Sequence, residues 1–123
     1  MRALRLLPHR LAVCRLSAED AIPSWATGEF ISITRTAAEL SIVCGQELVP
    51  DGKKCEGGWR VFEVAGPLEF ALTGVLSAIA TPLAAAGVSI FALSTFDTDY
   101  VLVKEDKLAE AIEALRAAGH EME

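Results

Sequence analysis

The chain has 123 residues, enough for one domain or two very small ones, and it is 52% hydrophobic against 23% charged, which places it in the globular regime. Its formal net charge of −6 argues against a nucleic-acid binder, because neutralising phosphates needs clustered Lys and Arg. No apolar run approaches the ~20 residues that span a bilayer, and no signal-peptide core forms where Arg2, Arg5, Arg10 and Arg15 interrupt the leucines. The expectation is a cytosolic protein that meets neither membrane nor nucleic acid.

Residues 10–16 alternate well enough for a first strand. Ser17 offers an N-cap, and residues 18–26 are expected to make a short helix that Pro23 limits to a turn or two. Residues 30–34 form the second strand, with Ile31 and Ile33 on one face. After a turn at Thr36, Ala37 and Ala38, residues 39–44 return as the third. Residues 45–58 read as a linker, in which Pro50-Asp51-Gly52 is a turn signal and Lys53, Lys54, Gly57 and Gly58 follow.

The second half is more strongly patterned. Residues 59–64 alternate apolar and polar, as a strand with one face toward a core does. After Gly66-Pro67, the residues Leu72, Val75, Leu76, Ile79 and Leu83 recur at helical spacing. Thr73 is the expected cap, Pro82 predicts a kink or terminal turn, and Gly87 is the stop. Residues 88–93 and 100–103 are short, β-branched and aromatic, and read as a hairpin. A last helix covers about residues 106–118, with Leu108, Ala111, Ile112 and Leu115 inward, and residues 120–122 make a short edge strand.

The fold class is α+β. The order β-α-β-β-α-β in residues 58–123 is ferredoxin-like, and residues 1–57 read as a truncated β-α-β-β unit that lacks the second helix. Two such units cannot each bury a full core, so their sheets join or the chain dimerises.

The three cysteines lack metal-ligand spacing. Cys14 and Cys44 sit in apolar runs as small buried hydrophobes, while Cys55 beside Lys53 and Lys54 has the more reactive thiol. His9 and His120 are the only histidines, and neither is placed to serve as base for a nucleophile. With no glycine-rich phosphate loop and no cluster of metal ligands, neither an enzyme nor a cofactor nor a metal is expected.

Polar chemistry concentrates in the corner Ser94-Thr95-Phe96-Asp97-Thr98-Asp99. It carries hydroxyls, carboxylates and a phenyl ring without a glycine, more than a hairpin turn requires. One reading is a solvated turn in which Asp99 caps its own backbone. The other is a ligand-contacting corner, where Asp97 and Asp99 hold a cation and Ser94 and Thr95 donate hydrogen bonds.

From about residue 11 onward the chain resembles the ACT-domain family, and within it the tandem ACT-like proteins related to the CASTOR arginine sensors. Three stretches carry the resemblance: Phe30-Ile31-Ser32-Ile33-Thr34-Arg35-Thr36, then Pro82-Leu83-Ala84-Ala85-Ala86, then Leu93-Ser94-Thr95-Phe96 with Asp99-Tyr100-Val101-Leu102-Val103. The resemblance implies a non-catalytic regulatory module that binds a free amino acid at a homodimer interface, between the helix start and the hairpin corner. The corner then contributes Ser94, Thr95, Phe96 and Asp99, and the segment opening the helix contributes Glu69, Leu72, Thr73 and Gly74. The ligand's carboxylate suits amides at a helix N-terminus, and its ammonium suits a carboxylate such as Asp99. Leu72 stands where the arginine binders carry an acidic residue, so the resemblance implies amino-acid binding without naming arginine. The competing expectation is a protein-interaction module that binds no small ligand and uses the corner as an interface.

Overall fold

The computed structural model describes residues 3–66 and 73–123. Its elements are strands β1 (Ala3–Leu16), β2 (Ser32–Arg35), β3 (Leu40–Gly45), β4 (Cys55–Val64), β5 (Ile90–Ser94), β6 (Asp99–Lys104) and β7 (Glu121–Met122), with helices α1 (Val75–Ala85) and α2 (Leu108–Ala117). Two compact units emerge, one from residues 1–8 and 60–123 and the other from residues 9–59. β1 and β4 each supply a stretch to both.

In the larger unit β4, α1, β5, β6, α2 and β7 follow one another in the expected ferredoxin-like order. The strands lie in the order β7-β1-β4-β6-β5. The first strand begins seven residues earlier than the sequence reading placed it, because Leu4 is fully buried, Leu6 partly so, and Arg5 alternates between them. This early stretch pairs in parallel with β7, Ala3 opposite Glu121 and Leu4 opposite Met122. Beside it, the Ala65 N–H donates to the Ala3 carbonyl at 2.9 Å.

One face of this unit is the core. Leu4, Phe62, Val64, Val101 and Val103 from the strands pack on Ile79 and Leu83 of α1 and Ala111 and Leu115 of α2. Burying a side chain such as Leu83 contributes about 1.5–3 kcal/mol. The expected cap at Thr73 is a misreading: α1 starts after Gly74, whose φ of 78° gives the αL turn, and no side chain caps it. Only glycine takes that backbone without strain.

Pro82 stands inside α1. It has no N–H, so the Ala78 carbonyl four residues back loses its helical partner. Buried His120 fills the gap, with Nε2 lying 2.9 Å from the Ala78 oxygen. The ring therefore carries its proton on Nε2 and donates it there. The His120 N–H itself bonds the Leu115 carbonyl past the end of α2, at 3.0 Å.

In the smaller unit β2, β3 and β1 are antiparallel neighbours, with Ile33 opposite Ile42 and Val13 opposite Val43. Leu40, Ile42, Cys44 and Ala26 form its core. The helix expected over residues 18–26 is absent. Turns replace it, with Asp20 N–H donating to the Ser17 carbonyl and Ala26 N–H to that of Pro23, at 3.0 and 3.1 Å. Pro23 removes a donor and pushes Ile22 toward extended backbone, and that outweighs the Ser17 cap. The expected linker is also shorter than residues 45–58, since β4 already begins at Cys55 and Gln46–Leu48 form a 3₁₀ turn. Gly58, at φ 78°, donates its N–H to Gln46 Oε1 at 2.7 Å, which fixes the start of that strand.

Candidate functional site

Alternation along three neighbouring strands of the larger unit creates a polar row. Phe62 and Val64 face the helices, so Glu63 between them emerges on the opposite face. Arg5 does the same between Leu4 and Leu6, and Tyr100 beside Val101. Because β1, β4 and β6 are adjacent, the three side chains meet. Arg5 Nη1 lies 3.1 Å from Glu63 Oε1, and the Tyr100 hydroxyl donates to Glu63 Oε2 at 3.0 Å.

This row floors a recess of about 380 Å³, closed by Val64, Ala65 and Gly66 from the end of β4 and by Asp97 and Thr98 from the hairpin. Thr98 ties these two walls together. Its hydroxyl, in a residue only 8% exposed, donates to the Val64 carbonyl at 2.7 Å. The turn is closed by the Thr95 N–H and hydroxyl, which donate to the Thr98 carbonyl at 2.8 and 3.1 Å. It does so without a positive φ at any described non-glycine residue.

Burial pushes the Tyr100 phenol up from its ordinary value, and its hydrogen bond to Glu63 and the charges of Glu63 and Asp97 add to the shift. Tyr100 therefore keeps its proton at neutral pH. The recess thus presents one guanidinium, two carboxylates and a phenol whose proton is held by Glu63. Such a set is complementary to a zwitterion, with a cation for a carboxylate and carboxylates for an ammonium. Among the described residues no group of three His, Cys, Asp or Glu is placed to hold a metal ion.

The residues singled out from the sequence fall elsewhere. Ser94 and Asp99 are the last pair of the β5–β6 ladder, and the Ser94 hydroxyl donates to Asp99 Oδ1 at 2.7 Å. Asp99 is thus engaged within its own hairpin. Phe96 sits at the tip, 80% exposed, and Thr95 spends its hydroxyl on the turn. Thr73 and Gly74 are exposed just before α1, while Glu69 and Leu72 lie outside the described residues. None of these described residues lines the recess. Sequence reasoning missed Arg5, Glu63 and Tyr100 as a group. The available signal was a charged residue at the outward position of two apolar strands, and only the strand order brings them together.

Comparison with known proteins gives a consistent family. The model of the ACT domain matches residues 54–117, and a second model, of an N-terminal domain, matches residues 9–52. The human protein "Cytosolic arginine sensor for mTORC1 subunit 1" is 44% identical over 59 residues, which take in 47% of this chain and 18% of that protein. The chain therefore spans only a small part of the curated relatives it matches. A crystal structure of a protein from Agobacterium tumefaciens is 41% identical, with a TM-score of 0.93, covering 99% of this chain and 92% of that one. The regulatory subunit of aspartate kinase from Thermus thermophilus shares the fold at 10% identity, with a TM-score of 0.65 over 94% of this chain and 97% of its own. Fold order, strand pairing and the match over residues 54–117 agree, and the chain belongs to the ACT-domain family.

Proposed function

We propose that this chain is a non-catalytic regulatory module that senses a free amino acid in the cytoplasm, and that the ligand sits in the recess beside Arg5, Glu63, Asp97 and Tyr100. The observation that carries the reading is the charge set of that recess: a cation and two carboxylates within one amino-acid-sized volume of about 380 Å³. Membership of the ACT family and the arginine-sensing name of the human relative support it. The ligand's carboxylate meets Arg5, and its ammonium meets Glu63 and Asp97. A second copy of the chain completes the site, with the segment that precedes α1 in sequence (Glu69, Leu72, Thr73, Gly74) and the corner (Ser94, Thr95, Phe96, Asp99) at the homodimer interface.

The test is a thermal-shift panel of the twenty amino acids at millimolar concentration. A ligand at 100 times its Kd adds roughly 2.7 kcal/mol to the folded state. The expected result is a clear rise with one amino acid or a chemically related few, lost in Asp97→Asn. A flat panel overturns the reading.

A second reading has its own observation. Phe96 is 80% exposed at the hairpin tip, and Asp99 is already bonded to Ser94, as a corner that only docks a protein partner would be. The amino-acid panel separates the two. A corner that only docks a protein gives no thermal shift with any amino acid, while a ligand recess gives one that Asp97→Asn abolishes.

A further inference from the structure

We propose that Cys14 and Cys55 are a thiol oxidation site, closing reversibly to a cross-strand disulfide in the smaller unit. Strands β1 and β4 run antiparallel, Ala3 pairing toward Ala65 and Arg15 toward Lys54, and the Arg15 N–H donates to the Lys54 carbonyl at 3.0 Å. In an antiparallel ladder that bond flanks a directly opposed, non-hydrogen-bonded pair, which here is Cys14 and Cys55. Such pairs have Cα atoms about 4.5 Å apart and closely approaching side chains. This lies within the range of roughly 4.4–6.8 Å that a disulfide spans, so no backbone movement is needed. Cys55 lies near enough to contribute to the raised pKa of the Cys14 thiol. Cys44 is the third member of the neighbourhood, but its opposite residue is Ala12, which leaves it unopposed.

The two cysteines differ in a way that assigns their roles. Cys14 is buried and Cys55 exposed, and both line a surface recess of about 240 Å³ that also holds Arg15 and Lys54. A small oxidant reaches the exposed Cys55 there, so Cys55 reacts first. Burial, followed by the neighbouring cysteines, pushes the Cys14 thiol up to about 12, so it stays protonated and acts second. With a hydroperoxide as oxidant, the Cys55 thiolate attacks one peroxide oxygen, the O–O bond breaks, and the leaving hydroxide takes a proton to become water. Cys55 is then a sulfenic acid. The Cys14 sulfur attacks the Cys55 sulfur, the S–O bond breaks, and a second water departs with the Cys14 proton. The dithiol loses two electrons and the peroxide gains them. Reduced glutathione reverses the bond by thiol–disulfide exchange.

The experiment treats the full chain with hydrogen peroxide, unfolds it in an alkylating quench, and maps the tryptic peptides by mass spectrometry. The expected product joins the peptide of residues 11–15 to that of residues 55–60. It persists in Cys44→Ser, disappears in Cys55→Ser, and returns to two free thiols in reduced glutathione. Cys55 is exposed, so its serine variant folds. Alkylated Cys14 beside a sulfinic or sulfonic Cys55, a Cys55 bond between two chains, or a bond to Cys44 each overturn the assignment. A Cys14–Cys55 bond that resists glutathione overturns its reversibility.

Discussion

Glu63 holds the recess together, and Glu63→Gln tests that role directly. The substitution keeps the shape and removes the charge that Arg5 and Tyr100 both address. A hydrogen bond from a hydroxyl to a carboxylate contributes about 1.5 kcal/mol. The Arg5 pair is discounted to roughly 0.2–1 kcal/mol, because Arg5 is 57% exposed and water screens it. The expected cost is about 1–2 kcal/mol, which for a chain of this size lowers the Tm by roughly 3–10 °C. Tyr100 is the only tyrosine in the chain, so ultraviolet titration of the phenolate reads it alone. In the wild type its pKa lies above the ordinary value; in Glu63→Gln it falls back but stays raised, since burial is the largest cause and persists. Linkage fixes the sign. A raised folded-state pKa gives stability that is complete below the unfolded value near 10 and is lost as pH climbs through the folded value, so the variant has the shallower alkaline loss. An unshifted Tyr100 in the wild type, or a titration indifferent to Glu63→Gln, refutes the geometry of the row.

Three further predictions are independent of that one. His120→Ala orphans the Ala78 carbonyl and is expected to cost about 1–3 kcal/mol; adding Pro82→Ala restores a helical N–H and recovers part of the loss, read by urea melts as a positive coupling in a double-mutant cycle. Thr98→Val keeps the volume but cuts the tie to Val64, costing about 1–2 kcal/mol and weakening amino-acid binding in calorimetry. Under reducing conditions wild-type stability falls between pH 9.0 and about 12, because Cys14 ionises there in the unfolded chain but not in the folded one; in Cys14→Ala that loss is smaller in circular-dichroism melts.

Much of the larger unit was legible from local pattern. The spacing of Val75, Leu76, Ile79 and Leu83 defined α1, and the apolar runs on either side of residues 94–99 defined β5 and β6. Both are short-range signals, set by helical and strand periodicity. The stretch 18–26 went astray because a local cap was weighed above Pro23, whose missing donor and effect on Ile22 decide the backbone.

The corner at residues 94–99 drew attention for its polar density, yet most of that density serves the hairpin itself. Thr95 and Thr98 close the turn, and Ser94 pairs with Asp99. The sequence by itself determined that residues 59–64 alternate, and so placed Glu63 on the outward face of a strand and Tyr100 at the start of another, while Arg5 lay ahead of the first strand it predicts. Only the tertiary structure decided that they share one recess, because β1, β4 and β6 become neighbours through pairings between residues far apart in the chain, and no local periodicity encodes which strand lies beside which.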